Sequence, residues 1–455
     1  MDDIMPRLNT GIQFQRAAEA GRRVAVFDIP LSGISRKING IQTVEWGSHD
    51  PNYGFCTWPQ ELKQDVMARF GQHPLQNSCD VPARTPRDFC DFRDQLILGV
   101  QKKTELTKHY LKKARWDLFA QVFTEGHCAG HQCWHLHDPC HPNYSFETAA
   151  ITGNPVRDVY MAIDAAIGEI LAEIDDNTIL VFLASHRMAH NYGAQFLLPE
   201  VLIRLGAAEV YTMDHVPSPS SGSENRMDAL LKSVWQRMPQ SIRGQLGALR
   251  DSYRGHVDTH HVSPLPTISG IDLQKSKCFP VENALSVGGV RVNLAGREPM
   301  GIIQPGSDMD SFCIDLARDL LKIIDYETGI PMIKRVLRTA DLYQGEGMDH
   351  LPDLLVEWSD EKYSGTSSTG NGTGSRIRLS SEKTGIIEGV NSYCRTGDHR
   401  PEGLFIACGA GINPGCLDRT VSIMDFAPTF TSLLGVKSPS VDGEPIREIL
   451  MAWNR

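Results

Sequence analysis

A chain of 455 residues, 41% hydrophobic and 22% charged, is long enough for one large α/β domain or two to three ordinary ones, and its composition is that of a folded soluble protein. The net charge of −10 excludes a general affinity for nucleic acid polymers or anionic membranes, so an anionic ligand would need a local positive centre such as a metal ion. No apolar run approaches the ~20 residues of a membrane span, Met1–Gln13 lacks the basic-then-apolar order of a secretory signal, and the eleven scattered cysteines read as reduced thiols of a cytoplasmic protein.

In chain order, Phe14 to Ala20 reads as helical, and Arg22–Pro30 as a buried strand of a parallel sheet, because Val24-Ala25-Val26-Phe27 is continuously apolar. Asp117–Phe123 and Thr178–Leu183 are the next strand candidates. Between them lies a helix: Asn154 suits the N-cap, Pro155 the first turn, and Val159, Ile163, Ile167, Ile170 and Ile174 one face. Strand, helix, strand predicts a right-handed crossover and parallel pairing. Pro217–Ser223 reads as a linker, and Asn225 to about His261 as an arginine-rich helical insertion or cap. The sheet pattern resumes at Leu354–Trp358, a Gly/Ser/Thr run over Ser364–Ser375 reads as a mobile surface loop, and Leu404–Cys408 is the last strand. Asp425 is then expected to cap a helix with Pro428 in its first turn, ending at Leu434-Gly435. The expected division is a first core part over 1–215, a linker and helical insertion over 216–285, and a second core part over 286–455.

The most informative segment is Glu125–Asp138, which holds His127, His131, His135 and His137 directly after a strand, where ligands bind in open α/β sheets. Histidine is the commonest neutral metal ligand, and this density suits a zinc-like divalent site. Cys128 and Cys133 are further ligand candidates, although no CxxC spacing supports a structural cluster. The alternative is a polar loop whose histidines pack on Trp134 and bond to backbone. His186 follows a second strand, and Gly397-Asp398-His399 precedes the last one, with Asp398 placed to orient or join a site. Arg297, in Gly289–Pro299, suits bidentate recognition of phosphate or sulfate, or else pairs with a neighbouring carboxylate.

Together, His127-Cys128-Ala129-Gly130-His131, Ala184-Ser185-His186-Arg187-Met188 and Gly397-Asp398-His399 resemble, in order, the three metal motifs of the alkaline phosphatase superfamily, especially its type I phosphodiesterase and nucleotide pyrophosphatase branch. Ser422–Thr429, continuing to Asp442-Gly443, resembles that family's terminal Asp-x-x-Pro-Thr helix and Asp-Gly loop. The resemblance implies an alkaline-phosphatase-like α/β fold with an open, mostly parallel sheet flanked by helices and a helical insertion. It also implies a divalent metal, zinc above all, on His127, His131, His186 and His399, and substrate contact by Arg297. His127 stands where the family has an aspartate, and Ser185 where it has another. The family's first metal aspartate and Thr or Ser nucleophile lie upstream of the segment resembling residues 15 to 30, so the chain reads as truncated at its N-terminus. No catalytic nucleophile is assigned; Ser185, Ser48 and Thr43 are hydroxyls outside the family context.

The implied function is metal-dependent hydrolysis of small-molecule phosphate esters, impaired by the missing segment. A sulfatase, or a catalytically silent zinc-binding protein of the same fold, are the alternatives.

Overall fold

Val24–Phe27 forms β1, buried along its whole length because both faces of the sheet are covered. In the computed structural model, which describes residues 12–47, 54–75, 79–80, 84–211, 270–281, 283, 286–345, 347–367, 375–409, 411–436, 441 and 443–453, β1 is flanked in parallel by β2 (Gly40–Val44) and β4 (Leu118–Gln121). A short β3 (Cys56–Trp58) adds antiparallel to β2. Helix α1 (Ile12–Glu19) precedes β1, as its sequence predicts. The expected insertion between Asn225 and His261 and the linker before it lie outside the described residues.

The carboxyl edge of this sheet is tied together by buried polar groups. Asp28, directly after β1, takes a left-handed conformation (φ 56°) that aspartate tolerates. Its carboxylate accepts hydrogen bonds from the Trp46 and Gly47 amides at 3.0 and 2.9 Å and from the Thr43 hydroxyl at 3.1 Å. The carbonyl of Gly47 in turn accepts from the Thr124 hydroxyl at 2.7 Å and from Lys103 Nζ at 2.8 Å. The end of β2 is thereby fastened to the end of β4.

Three helices cover this edge. The 28-residue α3 (Pro86–Lys113) opens with a reciprocal cap, the Thr85 hydroxyl accepting from the Asp88 amide while the Asp88 carboxylate accepts from the Thr85 amide. Helix α4 (Glu125–His137) begins directly after β4, and α6 (Pro155–Leu171) starts as its sequence predicts, with the Asn154 side chain accepting from the Arg157 amide at 3.1 Å. Phe89, Phe92 and Leu96 of α3, Cys128, Ala129, Cys133 and Leu136 of α4, and Val156 and Val159 of α6 make one apolar core.

β5 (Ile179–Ala184) does not pair with β4, contrary to expectation. Its partner is β15 (Leu404–Gly409), antiparallel. A crossover helix fixes the hand of a connection, but neighbouring in sequence makes strands adjacent only about two-thirds of the time. β6 (Arg187–His190) likewise pairs antiparallel with β14 (Gly397–Arg400). A separate antiparallel sheet, formed by Ile333–Arg338, Leu354–Trp358, Val287–Val292 and Cys278–Val281 in that order, surrounds the largest apolar cluster. The class is the expected mixed α/β fold with a parallel-containing sheet; among the described strands, parallel pairing is confined to the three around β1.

Two local expectations need correction. Described residues at the ends of the Gly/Ser/Thr run are buried and bonded: the Thr366 amide donates to Asn143 Oδ1 at 2.9 Å, the Ser364 amide to the Asn191 carbonyl at 3.0 Å, and Ser375 is 1% exposed. Small polar side chains fit there because they satisfy backbone groups inside the fold. At the other site Asp425 does stand at the N-cap position of the helix Phe426–Leu433 but makes no side-chain cap bond there; the side-chain cap is Ser422, on the preceding 3-10 turn Ile423–Asp425. The Ser422 side chain accepts from the Met424 amide, and Asp425 reaches back to the Ser422 amide at 2.9 Å and forward to the Glu444 amide at 3.0 Å. Among the described residues no helix is long and apolar enough to cross a membrane.

Candidate metal centre

The histidine-rich segment is helical, not a loop. In α4 an i, i+4, i+8 spacing puts His127, His131 and His135 on one stripe, while Cys128, Ala129, Cys133 and Leu136 are buried in the core shared with α3 and α6. The two cysteines are therefore not ligands. Burial pushes the Cys133 thiol up to about 12, and a hydrogen bond with the Cys79 thiol, together with burial, raises Cys128 well above its ordinary value.

The stripe faces β14. His131 Nδ1 lies 2.8 Å from the Gly397 carbonyl, which can only accept, so the proton sits on Nδ1 and the Nε2 lone pair is turned toward the cluster. There His127 Nε2 is 3.1 Å from His131 Nε2 and 2.8 Å from His399 Nε2. His186, in the turn between β5 and β6, stacks on His399 with ring centroids 4.0 Å apart and lies 5.7 Å from the His127 ring. One ring nitrogen from each of His127, His186 and His399 falls within 4.8 Å of the others. All four sequence-predicted histidines are thus brought together.

The donor set fits a zinc-like ion. Tetrahedral nitrogen ligands at about 2.0–2.1 Å stand ~3.3 Å from one another, and the two Nε2 separations at His127 are within about half an ångström of that. His131 and His186 are also biased toward the neutral form a metal needs. Burial, then the neighbouring His127 and Arg395, holds the His131 pKa well below the ordinary imidazole value, and burial lowers that of His186.

Close backbone approach makes this possible. A Cβ built on Gly397 would stand 2.1 Å from the Gly130 carbonyl, so only glycine lets β14 lie against α4. Gly397→Ala is therefore expected to lower stability by about 1–3 kcal/mol through overpacking and to separate His399 from His127. Denaturant unfolding checks the first effect, and an unchanged midpoint would contradict it.

Other sequence candidates lie elsewhere. Alternation along β14 turns Asp398 away from His399; its carboxylate accepts from the His399 amide at 2.7 Å, and burial raises its pKa. Asp398 thus supports the strand and does not join the imidazoles. Arg297 is held by carboxylates, bidentate to Asp353 at 2.8 and 2.6 Å and through Nε to Glu298 at 2.9 Å, beside the separate antiparallel sheet. Its guanidinium is engaged by these neighbours, as the alternative reading of its sequence has it. The Thr43 hydroxyl is bound to Asp28, Ser185 is exposed, and Ser48 lies outside the described residues.

Several residues of this region escaped sequence reasoning. Thr396, fully buried, donates through its amide to the His131 carbonyl at 2.7 Å. Its hydroxyl meets His135 Nδ1 at 3.1 Å, and its carbonyl meets a ring nitrogen of His141 at 3.0 Å. His135, driven down to about 3 by burial and His141, packs behind the cluster as a neutral spacer. Beneath the start of α4, Glu125 bonds His73 Nε2 at 2.9 Å and pairs with Lys103 Nζ at 3.1 Å, all three inaccessible to solvent. Arg395, two residues before Gly397 and so on the His399 face of the chain, forms a fork on Asp80. Alternation through Arg395, Gly397 and His399 was the available signal for it.

The mixed α/β fold thus gathers four imidazoles around the start of α4, with His131 and His186 held toward the neutral form and the His131 tautomer fixed by backbone. The chain belongs to the type I phosphodiesterase / nucleotide pyrophosphatase family, whose model matches residues 9–256, a span that includes His127, His131 and His186. Hydrolysis of phosphate esters, generally with divalent metal ions, is that family's chemistry. Among solved structures the chain is similar to human ectonucleotide pyrophosphatase / phosphodiesterase 5, at 10% identity and a TM-score of 0.36, over 95% of this chain and 72% of that one. Among curated proteins nothing matches.

Proposed function

We propose that the protein is a phosphate-ester hydrolase that holds one zinc-like ion on His127, His131 and His399, with His186 at the open side of the same cluster. The observation that carries this is His127 Nε2 standing 2.8 Å from His399 Nε2 and 3.1 Å from His131 Nε2, with the His131 lone pair directed inward and a ring nitrogen of His186 within 4.8 Å of those of His127 and His399. When bound, such an ion supplies a Lewis acid for the phosphoryl oxygen and lowers the pKa of a bound water toward 7. The chain's own residues orient and exclude: Gly397 fixes the His131 tautomer, Thr396 holds the helix against the strand, and the apolar faces of α3 and α6 keep water from the rear of α4. Among the described residues no carboxylate joins the ligand group, and Ser185 stands beside His186 without a negative charge. A second divalent ion is accordingly expected to bind weakly. The same scarcity of carboxylates favours, as the second reading, a zinc-holding protein that turns over slowly or not at all.

The test combines metal analysis with turnover. Purified protein should retain close to one zinc per chain after dialysis, and should be assayed on a chromogenic phosphodiester, a phosphomonoester and a sulfate ester. Two tightly held ions, or none, would contradict the proposed site. One zinc without turnover of any ester would select the second reading.

A further inference from the structure

Two thiols from either side of α3 meet in the apolar core that α3 shares with α4 and α6. Cys79 and Cys128 are each 2% exposed, belong to the same cluster as Phe92, Ala129 and Cys133, and are hydrogen-bonded to one another through their thiols. Contacts that do not involve sulfur set this placement as well. Asp80 accepts from Gln132 Nε2 at 2.8 Å, and Arg84 donates both to the Cys79 carbonyl, at 2.9 Å, and to Gln132 Oε1. Gln132 lies one helical turn beyond Cys128 on the same stripe of α4. The bonds that fasten residues 79–80 to Gln132 therefore lay Cys79 over Cys128. Arg84 is itself seated on the Phe92 ring of α3, 4.1 Å from its centroid.

Geometry selects this pair among the nearby cysteines. Cys128 and Cys133 are five residues apart on one helix, which puts their Cα atoms beyond the ~7 Å that a disulfide can span. Cys394 has its thiol hydrogen-bonded with Gln132. A link between Cys79 and Cys128 would close a loop containing all of α3, and such a loop restricts the unfolded chain far more than the folded one.

We propose that Cys79 and Cys128 are a disulfide site, oxidised by a low-molecular-weight disulfide to a cross-link that staples the segment before α3 to the first turns of α4. One cysteine thiolate attacks a sulfur of the small disulfide, which releases one small thiol and leaves a mixed disulfide on the protein. The second cysteine thiolate attacks the cysteine sulfur of that mixed disulfide, forms the S–S bond and expels the second small thiol. The two cysteines lose two electrons to the small disulfide, and their two protons end on the released thiols. No metal ion takes part. Burial makes the exchange slow in the folded chain, so refolding is the route by which the pair reaches equilibrium.

The full chain is unfolded in urea and refolded with either oxidised glutathione or a dithiol reductant, and the remaining thiols are alkylated before intact-mass and peptide analysis. The chain from the oxidising buffer is expected to lose about two mass units, the two hydrogens of one disulfide. All of its eleven cysteines but two should be alkylated, and one linked peptide pair should contain Cys79 and Cys128. Its unfolding equilibrium constant in urea should lie roughly 30- to 1,000-fold below that of the reduced chain, as for disulfides that close loops of tens of residues. Cys79→Ala should abolish both the mass loss and the shift, whereas Cys313→Ala, at a buried thiol in the core around the separate antiparallel sheet, should keep both. The wild-type peptide map needs no variant, so the result stands even where a substitution prevents folding. Eleven alkylated cysteines after oxidising refolding would overturn the assignment. So would a linkage between other cysteines, glutathione adducts without a cross-link, or a linked chain no more stable than the reduced one.

Discussion

His131→Ala is expected to cost the protein its divalent ion, with an affinity loss greater than the 10- to 100-fold that removing a mere supporting partner of a ligand produces. His131 is fully buried, its tautomer is fixed by the Gly397 carbonyl, and its bare Nε2 lies 3.1 Å from His127 Nε2. The natural control is His135→Ala. His135 is on the same helix stripe and equally enclosed, but it meets Thr396 and His141, not the imidazoles of the cluster. Both substitutions remove a buried ring and should destabilise the fold through the cavity they leave. Only the first removes a nitrogen from the convergent set. Competition against a chromophoric chelator gives the two zinc affinities, and unfolding curves give the common stability loss. Equal zinc affinities in the two variants would mean that the ring is packing alone.

How much of this was legible depends on what kind of force makes each element. β1 was readable because a fully buried strand is a continuous apolar run, Leu354–Trp358 because its buried positions Leu354, Val356 and Trp358 recur with the strand period, and the start of α6 because Asn154-Pro155 is a local signal. The histidines were visible as residue types, and the family's motif order grouped them. The helical state of α4 was not seen, since Gly126, Gly130, Cys, His and Trp are weak helix formers. Its helix is imposed by packing: Gly130 admits Met188, whose Cγ would be 2.8 Å from an added Cβ. The His127, His131, His135 spacing was the period that should have outweighed propensity. α3 also announces itself, through Thr85-Pro86-Arg87-Asp88, and was passed over. Contacts such as Arg395 with Asp80, or His73 with Glu125, join residues far apart in the chain, and no local pattern encodes them. For Ser364, Thr366 and Ser375, at the described ends of the Gly/Ser/Thr run, residue type suggested an exposed loop and the neighbours bury them, while Arg297 is paired with Asp353 and Glu298.

Lys103→Met is expected to destabilise the protein by about 3–5 kcal/mol, the cost of leaving a buried charge without its partner. Glu125 is fully buried at the first turn of α4; burial alone would raise its pKa, but Lys103 and then His73 hold it below the usual carboxylate value. Lys103 Nζ donates to the Gly47 carbonyl at 2.8 Å and to the Thr124 hydroxyl at 3.2 Å as well as pairing with Glu125 at 3.1 Å. Methionine keeps the stem length and removes the charge and all three interactions, while the glutamate and the Gly47 carbonyl stay behind. Adding Glu125→Gln removes the stranded carboxylate, so the double variant should be more stable than the sum of the single effects implies, with a coupling of about 0.5–3 kcal/mol. The positive end of the α4 dipole still favours a carboxylate at this position, so Glu125→Gln alone should also be destabilising. Because Glu125 lies two residues before His127, slackening this anchor should weaken zinc binding in the folded fraction without removing any ligand. Urea unfolding of wild type, both single variants and the double variant decides the matter. Additive losses would show that Lys103 and Glu125 are independent of each other, and a Lys103→Met midpoint close to wild type would show that Glu125 is satisfied without its lysine.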